Sequence, residues 1–178
     1  LITEDLLVST NMLFKDQNRL DRISIDRFIK DKNNFKLNIK FVESDNLLID
    51  IEGDSLDFKS LISFGDGEVR KITLKLDVDN VYYNDIYFGK TFIKSQLIND
   101  QFIELSGNIS NNDKVYIRLT SNLDEKSEYN KVKIEFDDFG YFLKKSSLSD
   151  AFLEGEGTVI LNLKKLNLLS GKLEISNS

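Results

Sequence analysis

The sequence predicts an all-β protein with minor α content, built as a meander of successive antiparallel strands with one or two short helices. Three observations carry this. Apolar and polar residues alternate with period 2 in segment after segment, the breaks between segments hold Asn, Asp, Gly or Ser, and helical spacing interrupts the pattern in only two places. Side chains on a strand point alternately to opposite faces, so each segment presents one apolar and one wet face.

Taken in chain order, Phe35, Leu37, Ile39 and Phe41 share one face, against Lys36, Asn38 and Lys40 on the other. Ile72, Leu74, Leu76 and Val78 stand likewise against Thr73, Lys75 and Asp77. Further apolar sets are Ile103, Leu105 and Ile109; Val115, Ile117 and Leu119; and Val132, Ile134 and Phe136. The last are Val159, Leu161 and Leu163, then Leu173 with Ile175. Asp66-Gly67, Asn99-Asp100, Asn111-Asn112-Asp113 and Ser170-Gly171 read as the turns between them. Phe139, Phe142 and Leu143 fall at helical spacing after Asp137-Asp138, residues suited to a helix N-cap, and predict a short helix near 138–146. Leu56, Leu61 and Ile62 after Asp54-Ser55 predict a helical turn or two.

A chain of 178 residues supports one core, so residues 1–178 read as a single domain. Its 24 basic and 30 acidic residues give a net charge of −6, with the cations scattered, which argues against a nucleic-acid partner. With no His and no Cys, the chain lacks the usual general base near neutral pH, any thiolate nucleophile and most metal ligation; no cofactor or metal is expected. No run approaches the roughly 18 to 20 apolar residues of a membrane-spanning helix, and no signal peptide opens the chain. The start at Leu1 and the stop at Ser178 after a strand-like segment predict a piece of something longer. No Pro blunts the strand edges, as expected where neighbouring chain occupies them and equally where an AT-biased genome avoids Pro codons.

Paired carboxylates are the one catalytic tool this composition retains. Asp50 with Glu52, and Asp77 with Asp79, lie two apart and share a strand face, where solvent-facing residues of amphipathic strands are expected. Asp77-Val78-Asp79-Asn80 begins like a calcium loop, but Val81 stands where a ligand belongs and no Gly provides the turn. Gly65-Asp66-Gly67-Glu68 and Glu154-Gly155-Glu156-Gly157 lack the spacing of a phosphate-binding loop and read as a hairpin turn and a strand start. The aromatics in Val81-Tyr82-Tyr83-Asn84-Asp85-Ile86-Tyr87-Phe88 have neutral or acidic neighbours, which favours packing over base stacking. Alternation leaves open what covers the apolar face: a second sheet, helices, or a lipid.

Residues 46–178 resemble, in motif order and spacing, the C-terminal repeat region of alphaproteobacterial AsmA-like proteins of the YhdP and TamB type. The first motif is Leu48-Ile49-Asp50-Ile51-Glu52-Gly53-Asp54-Ser55-Leu56-Asp57-Phe58, similar to that family's strand and Gly-Asp-Ser-Leu-Asp turn. Leu74-Lys75-Leu76-Asp77-Val78-Asp79-Asn80-Val81 follows, and then Phe136-Asp137-Asp138-Phe139-Gly140-Tyr141-Phe142-Leu143 resembles its Asp-Asp-x-Gly helix. Leu153-Glu154-Gly155-Glu156-Gly157-Thr158-Val159-Ile160-Leu161 resembles its Gly-Gly strand start, with Glu156 separating the glycines, and Leu169-Ser170-Gly171-Lys172-Leu173-Glu174-Ile175 its Ser-Gly-x-Leu strand. These are turn and cap residues, which mark a fold rather than an activity.

The resemblance implies a curled, twisted antiparallel meander sheet forming a groove, in a non-enzymatic envelope protein that shields or conducts phospholipid between inner and outer membranes. Implied partners are phospholipid, adjoining β-groove repeats of the same parent chain, and both membranes through parts outside these residues. The implied place is the periplasm, with an inner-membrane anchor elsewhere in the parent. Alternation then nominates Leu37, Ile39, Leu74, Leu76, Ile103, Leu105, Ile117, Leu119, Ile134, Phe136 and Leu161 as groove lining. The alternative is a closed β-sandwich scaffold or protein-binding domain of the envelope, in which the same residues form a dry core. An outer-membrane barrel ranks behind both, because the helix near 138–146 interrupts the strand count and no terminal aromatic strand closes the chain.

Overall fold

Eleven strands follow one another across a single unclosed sheet, in the same order in space as in sequence. They are β1 (Leu7–Asp16), β2 (Arg19–Lys30), β3 (Asn33–Val42), β4 (Asn46–Asp57), β5 (Lys71–Tyr83) and β6 (Ile86–Ile98). β7 (Gln101–Asn111), β8 (Lys114–Leu123), β9 (Asn130–Phe136), β10 (Glu156–Lys164) and β11 (Asn167–Ser176) complete it. The computed structural model describes residues 7–16, 19–42, 46–60, 71–83, 86–99, 101–111, 114–123, 129–146, 148–149, 155–164 and 167–176. Off the sheet, among these, lie a 3-10 turn at Phe58–Ser60 and one helix, α1 (Phe139–Lys145). The all-β meander expected from alternation, in the curled form that the resemblance implied, is the fold observed.

Short reversals join several of the antiparallel neighbours, whereas β9 and β10 are joined through 137–155, which carries α1. Asn99 leaves β6 at φ 48° and Asp31 leaves β2 at φ 51°, a left-handed conformation that Asn and Asp tolerate best among residues with a Cβ. One joint departs from the expected pattern: β4 and β5 run parallel, from Asn46 beside Lys71 to Asp57 beside Tyr82. A hairpin through Asp66-Gly67 would have made them antiparallel, whereas parallel neighbours need a crossover of about a dozen residues, which 58–70 supply. Asp66, Gly67, Leu61 and Ile62 themselves lie outside the described residues. Leu56 belongs to β4, so the expected helical turn there is the 3-10 turn alone.

Ser170-Gly171 is a second correction, because both residues sit inside β11 and pair with Asn162 and Leu161. Gly171 lies under the Leu161 side chain, so a Cβ there would meet Leu161 Cδ2 at 3.3 Å. Glycine in a strand marks such a close approach as readily as it marks a turn.

α1 forms where expected, within the predicted 138–146 region. Asp138 is its N-cap, with Oδ1 accepting from the Tyr141 N–H at 2.8 Å, and the Ser146 N–H donates to the Phe142 carbonyl at 2.9 Å. Seven residues are too few to hold a helix alone, so packing must supply the stability. Phe139 meets the Phe136 ring edge-on at 5.0 Å, and Phe142 lies 4.8 Å from the same ring.

Two apolar clusters hold the sheet. The larger joins Phe35, Leu37, Ile51, Leu56, Leu76, Val78 and Val81 across β3, β4 and β5, with Ile25, Phe28 and Ile93 packed on it from β2 and β6. The smaller joins Tyr116, Ile117, Phe136 and Phe139, so α1 covers the sheet where β8, β9 and β10 meet.

Candidate functional site: the apolar inner face

Residues paired across neighbouring strands share a face, so the register traces rows across the whole sheet. One row runs Val8, Phe28, Phe35, Gly53, Val78 and Thr91 from β1 to β6. It continues through Ile109, Ile117, Phe136 and Gly157 to Ile175 in β11. A second row runs Thr10, Ile25, Leu37, Ile51, Leu76 and Ile93, then Gly107, Leu119, Ile134, Val159 and Leu173. Ile23, Ile39, Ile49 and Leu74 begin a third. The apolar face is therefore continuous over all eleven strands, and the parallel joint does not break it.

Burial divides the nominated lining residues into two groups. Leu37, Leu76, Ile117 and Phe136 are fully buried within the clusters and act as packing. Ile39, Leu74, Leu105, Leu119, Ile134 and Leu161 are half-buried on the same face, where a ligand can reach them. Ile103 is set apart: the register slips between Gln96 and Leu97, Phe102 takes the place beside Leu97, and Ile103 is exposed. Ile25, Ile51 and Ile93 share the second row without having been nominated, although Ile49 and Ile51 already show the alternation that would have flagged them. At the two edges the face is bare. Val8 and Met12 on β1, and Leu173 and Ile175 on β11, are all exposed.

α1 closes the face at one end. Its Phe139 sits so near Gly157 that a Cβ there would come within 2.8 Å of the ring, which requires glycine at that point of β10. Beside it a register shift between Ile109 and Ser110 releases Tyr116 from the ladder. The Tyr116 hydroxyl donates to the Phe88 carbonyl, and its ring meets Tyr141 edge-on at 5.8 Å. Nothing in the alternation singles out Tyr116, because a bulge breaks the period that would have placed it.

Burial, and then the neighbouring phenols of Tyr141 and Tyr87, push the Tyr116 phenol well above its ordinary range. The folded protein thus keeps a proton that the unfolded chain gives up near pH ~10. Stability from this group is complete below that pH and declines as pH rises toward the folded value. Urea midpoints between about pH 8 and 11 should fall for the native protein and fall less steeply for Tyr116→Phe, which starts lower by the lost hydrogen bond, about 1 kcal/mol. Parallel declines would show that another group governs the alkaline limb.

The opposite face is charged. Asp50 faces Lys75 at 3.7 Å, Asp79 pairs with Lys90 at 2.8 Å, and Arg118 grips Asp137 with both guanidinium nitrogens at 2.5 and 3.2 Å. That grip holds the Arg118 pKa above its ordinary value, while a hydrogen bond from Lys172 holds the Glu174 carboxyl below the usual range. Glu52 lies directly opposite Asp77, and both line a cleft with Asp54, Asp79, Lys36 and Lys90, where acids and bases interleave. Among the described residues no group of three or more acidic side chains is placed to hold a metal ion, and no helix is long and apolar enough to cross a membrane.

No protein-family model matches the chain, no curated protein matches it in sequence, and no solved structure matches its fold.

Proposed function

We propose that this chain is a non-enzymatic groove module of a bacterial envelope protein, which shields or conducts phospholipid acyl chains between the inner and outer membranes, as the AsmA-like motifs imply. The observation that supports this reading is the unbroken apolar face on an unclosed sheet, still bare at both edge strands. An acyl chain laid on such a face gains about 0.8 kcal/mol for each CH₂ removed from water and needs no nucleophile to move along it. The charged reverse face suits contact with water. In this reading β1 and β11 are joined by adjoining repeats of the parent chain, and the module works in the periplasm while an anchor elsewhere in the parent holds the inner membrane. It needs no cofactor and no nucleic acid.

A scaffold or protein-binding domain is the second reading, favoured by Leu56, Leu76 and Val78, which are at most 1% exposed and form a dry core on β4 and β5, although the single unclosed sheet is not the closed sandwich first expected for it. Native mass spectrometry of the purified protein, with organic extraction of what travels with it, separates the two. The groove reading expects bound phospholipid, lost in Leu161→Asp while the circular dichroism of the sheet is retained; Leu161 is half-buried and open to a ligand, whereas Leu76→Asp would unfold the core. A stable, monodisperse protein that is reproducibly empty would sink the groove reading and leave the scaffold.

A further inference from the structure

A cavity of about 200 Å³ opens beside α1, where the ends of three strands meet the helix. β7 contributes Asn111, its last residue, and β8 contributes Tyr116, turned out of the ladder by the shift between Ile109 and Ser110. Asp137 follows β9, and its N–H donates to the Tyr116 carbonyl at 3.0 Å. α1 adds its cap, Asp138, and Tyr141. A water takes up roughly 30 Å³ in the liquid, so this space suits a group of several heavy atoms rather than a drug-sized molecule.

The lining is rich in acceptors and has no cation of its own. Two of its five residues are carboxylates and none is a base. Arg118 reaches Asp137 from outside the lining and engages both of its oxygens. Asp138 is the carboxylate without an ion pair: Oδ1 accepts from the Tyr141 N–H at 2.8 Å and, among the described residues, no base pairs with Oδ2. Asn111 donates from Nδ2 to the Tyr141 hydroxyl at 2.9 Å, which leaves Oδ1 to accept. The edge-on rings of Tyr116 and Tyr141 wall the same space. Lys145, outside the lining, shows what these aromatics attract, since its Nζ lies 4.9 Å from the Tyr87 ring centre and 5.5 Å from that of Tyr141. An ammonium has three N–H donors and no acceptor, and ring faces within about 6 Å attract it. A hard metal ion would want oxygen on all sides, which two tyrosine rings do not provide. The N-terminus of α1 opposes a cation only weakly, because the helix is seven residues long and Asp138 stands at its cap.

We propose that this cavity binds the primary ammonium group of a short amine, with Asp138 Oδ2 and Asn111 Oδ1 accepting its N–H groups and the Tyr116 and Tyr141 rings beside its charge. The site does not depend on the groove reading, since all of its groups lie in these five residues. Free ethanolamine and the same group at the head of a phospholipid share this chemistry. In the second case the acyl chains would pass from α1 onto the inner face at half-buried Ile109 and Val159.

Titration of the native protein with ethanolamine near neutral pH, followed residue by residue by NMR, tests the site, with ethylene glycol as the neutral ligand of equal size. Saturating shifts are expected at Asn111, Tyr116, Asp138 and Tyr141, with a dissociation constant on the order of millimolar, and no saturation with ethylene glycol. Asp138→Asn removes the charge but keeps a residue that caps a helix as well as Asp does, so α1 survives and binding should weaken roughly tenfold. Tyr141→Leu, at a residue 37% exposed, removes one ring and should weaken it about threefold. Equal affinity of the native protein and Asp138→Asn, saturation by ethylene glycol, or shifts spread over Glu52 and Asp77 on the charged face would each overturn the site. Dihexanoyl phosphatidylethanolamine separates the two sources. Tighter binding than ethanolamine, with further shifts at Ile109 and Val159, supports the site as one for a lipid headgroup; equal affinity supports it as one for the free amine.

Discussion

Gly89→Ala should lower the unfolding free energy by more than about 3 kcal/mol, a large share of the 5 to 15 kcal/mol that holds a typical domain together. Two causes add at this residue. Its φ of +96° is one that a residue with a Cβ adopts only under strain, and a Cβ built there runs into the Ser110 carbonyl of β7. Backbone cannot move aside as a side chain would. The neighbouring Phe88 carbonyl accepts from Tyr116, so displacement of β6 also disturbs the end closed by α1. Urea denaturation gives the midpoint and slope; a loss under about 1 kcal/mol at unchanged slope would mean that β6 and β7 separate there more easily than their register suggests.

Leu76→Ala is expected to cost about 3 to 4 kcal/mol, because a side chain 1% exposed leaves a cavity walled by Leu37, Ile51 and Val78 that strand backbones cannot collapse to fill. Leu173→Ala, at 51% exposure in edge strand β11, should change stability by no more than about 0.5 kcal/mol. Both positions lie in the same row, so the pair measures how far the core extends along it. Similar losses at the two would show that β11 is packed rather than bare.

The legible strands are those whose two faces differ in polarity. β3, β5, β9 and β10 alternate cleanly; the apolar sets of β3 and β9 reach to within two residues of the observed ends, whereas that of β5 stops at Val78, short of Tyr83, and that of β10 starts at Val159, past Glu156. β6 hides because its inner face carries Thr91 and Ser95 while Phe92 points to the charged side, which mixes the two faces. β1 hides because its two faces are mixed: Thr10 stands on the face of Val8, Met12 and Phe14, while Leu7 and Leu13 stand on the other side. The β4–β5 joint was illegible for a different reason: alternation reports which way a side chain points and carries no sign of strand direction, so parallel and antiparallel neighbours read alike. Of the inner face, the half-buried members Leu119, Ile134 and Leu161 were readable from alternation. Tyr116 and the cavity it lines were not, because a bulge and the meeting of strand ends with a helix are tertiary events that leave no period in the sequence.

The single parallel joint also decides how this sheet would carry load. Ten antiparallel steps would send β1 and β11 in the same direction, so that the start of β1 and the end of β11 lay at opposite ends of the strands. One parallel step reverses that parity, and Leu7 and Ser176 come to lie at the end where α1 sits, on opposite edges of the sheet. Tension applied through these two points pulls across the strands rather than along them. Hydrogen bonds between β1 and β2, or between β10 and β11, would then open one after another like a zipper, at far lower force than a ladder sheared along its length.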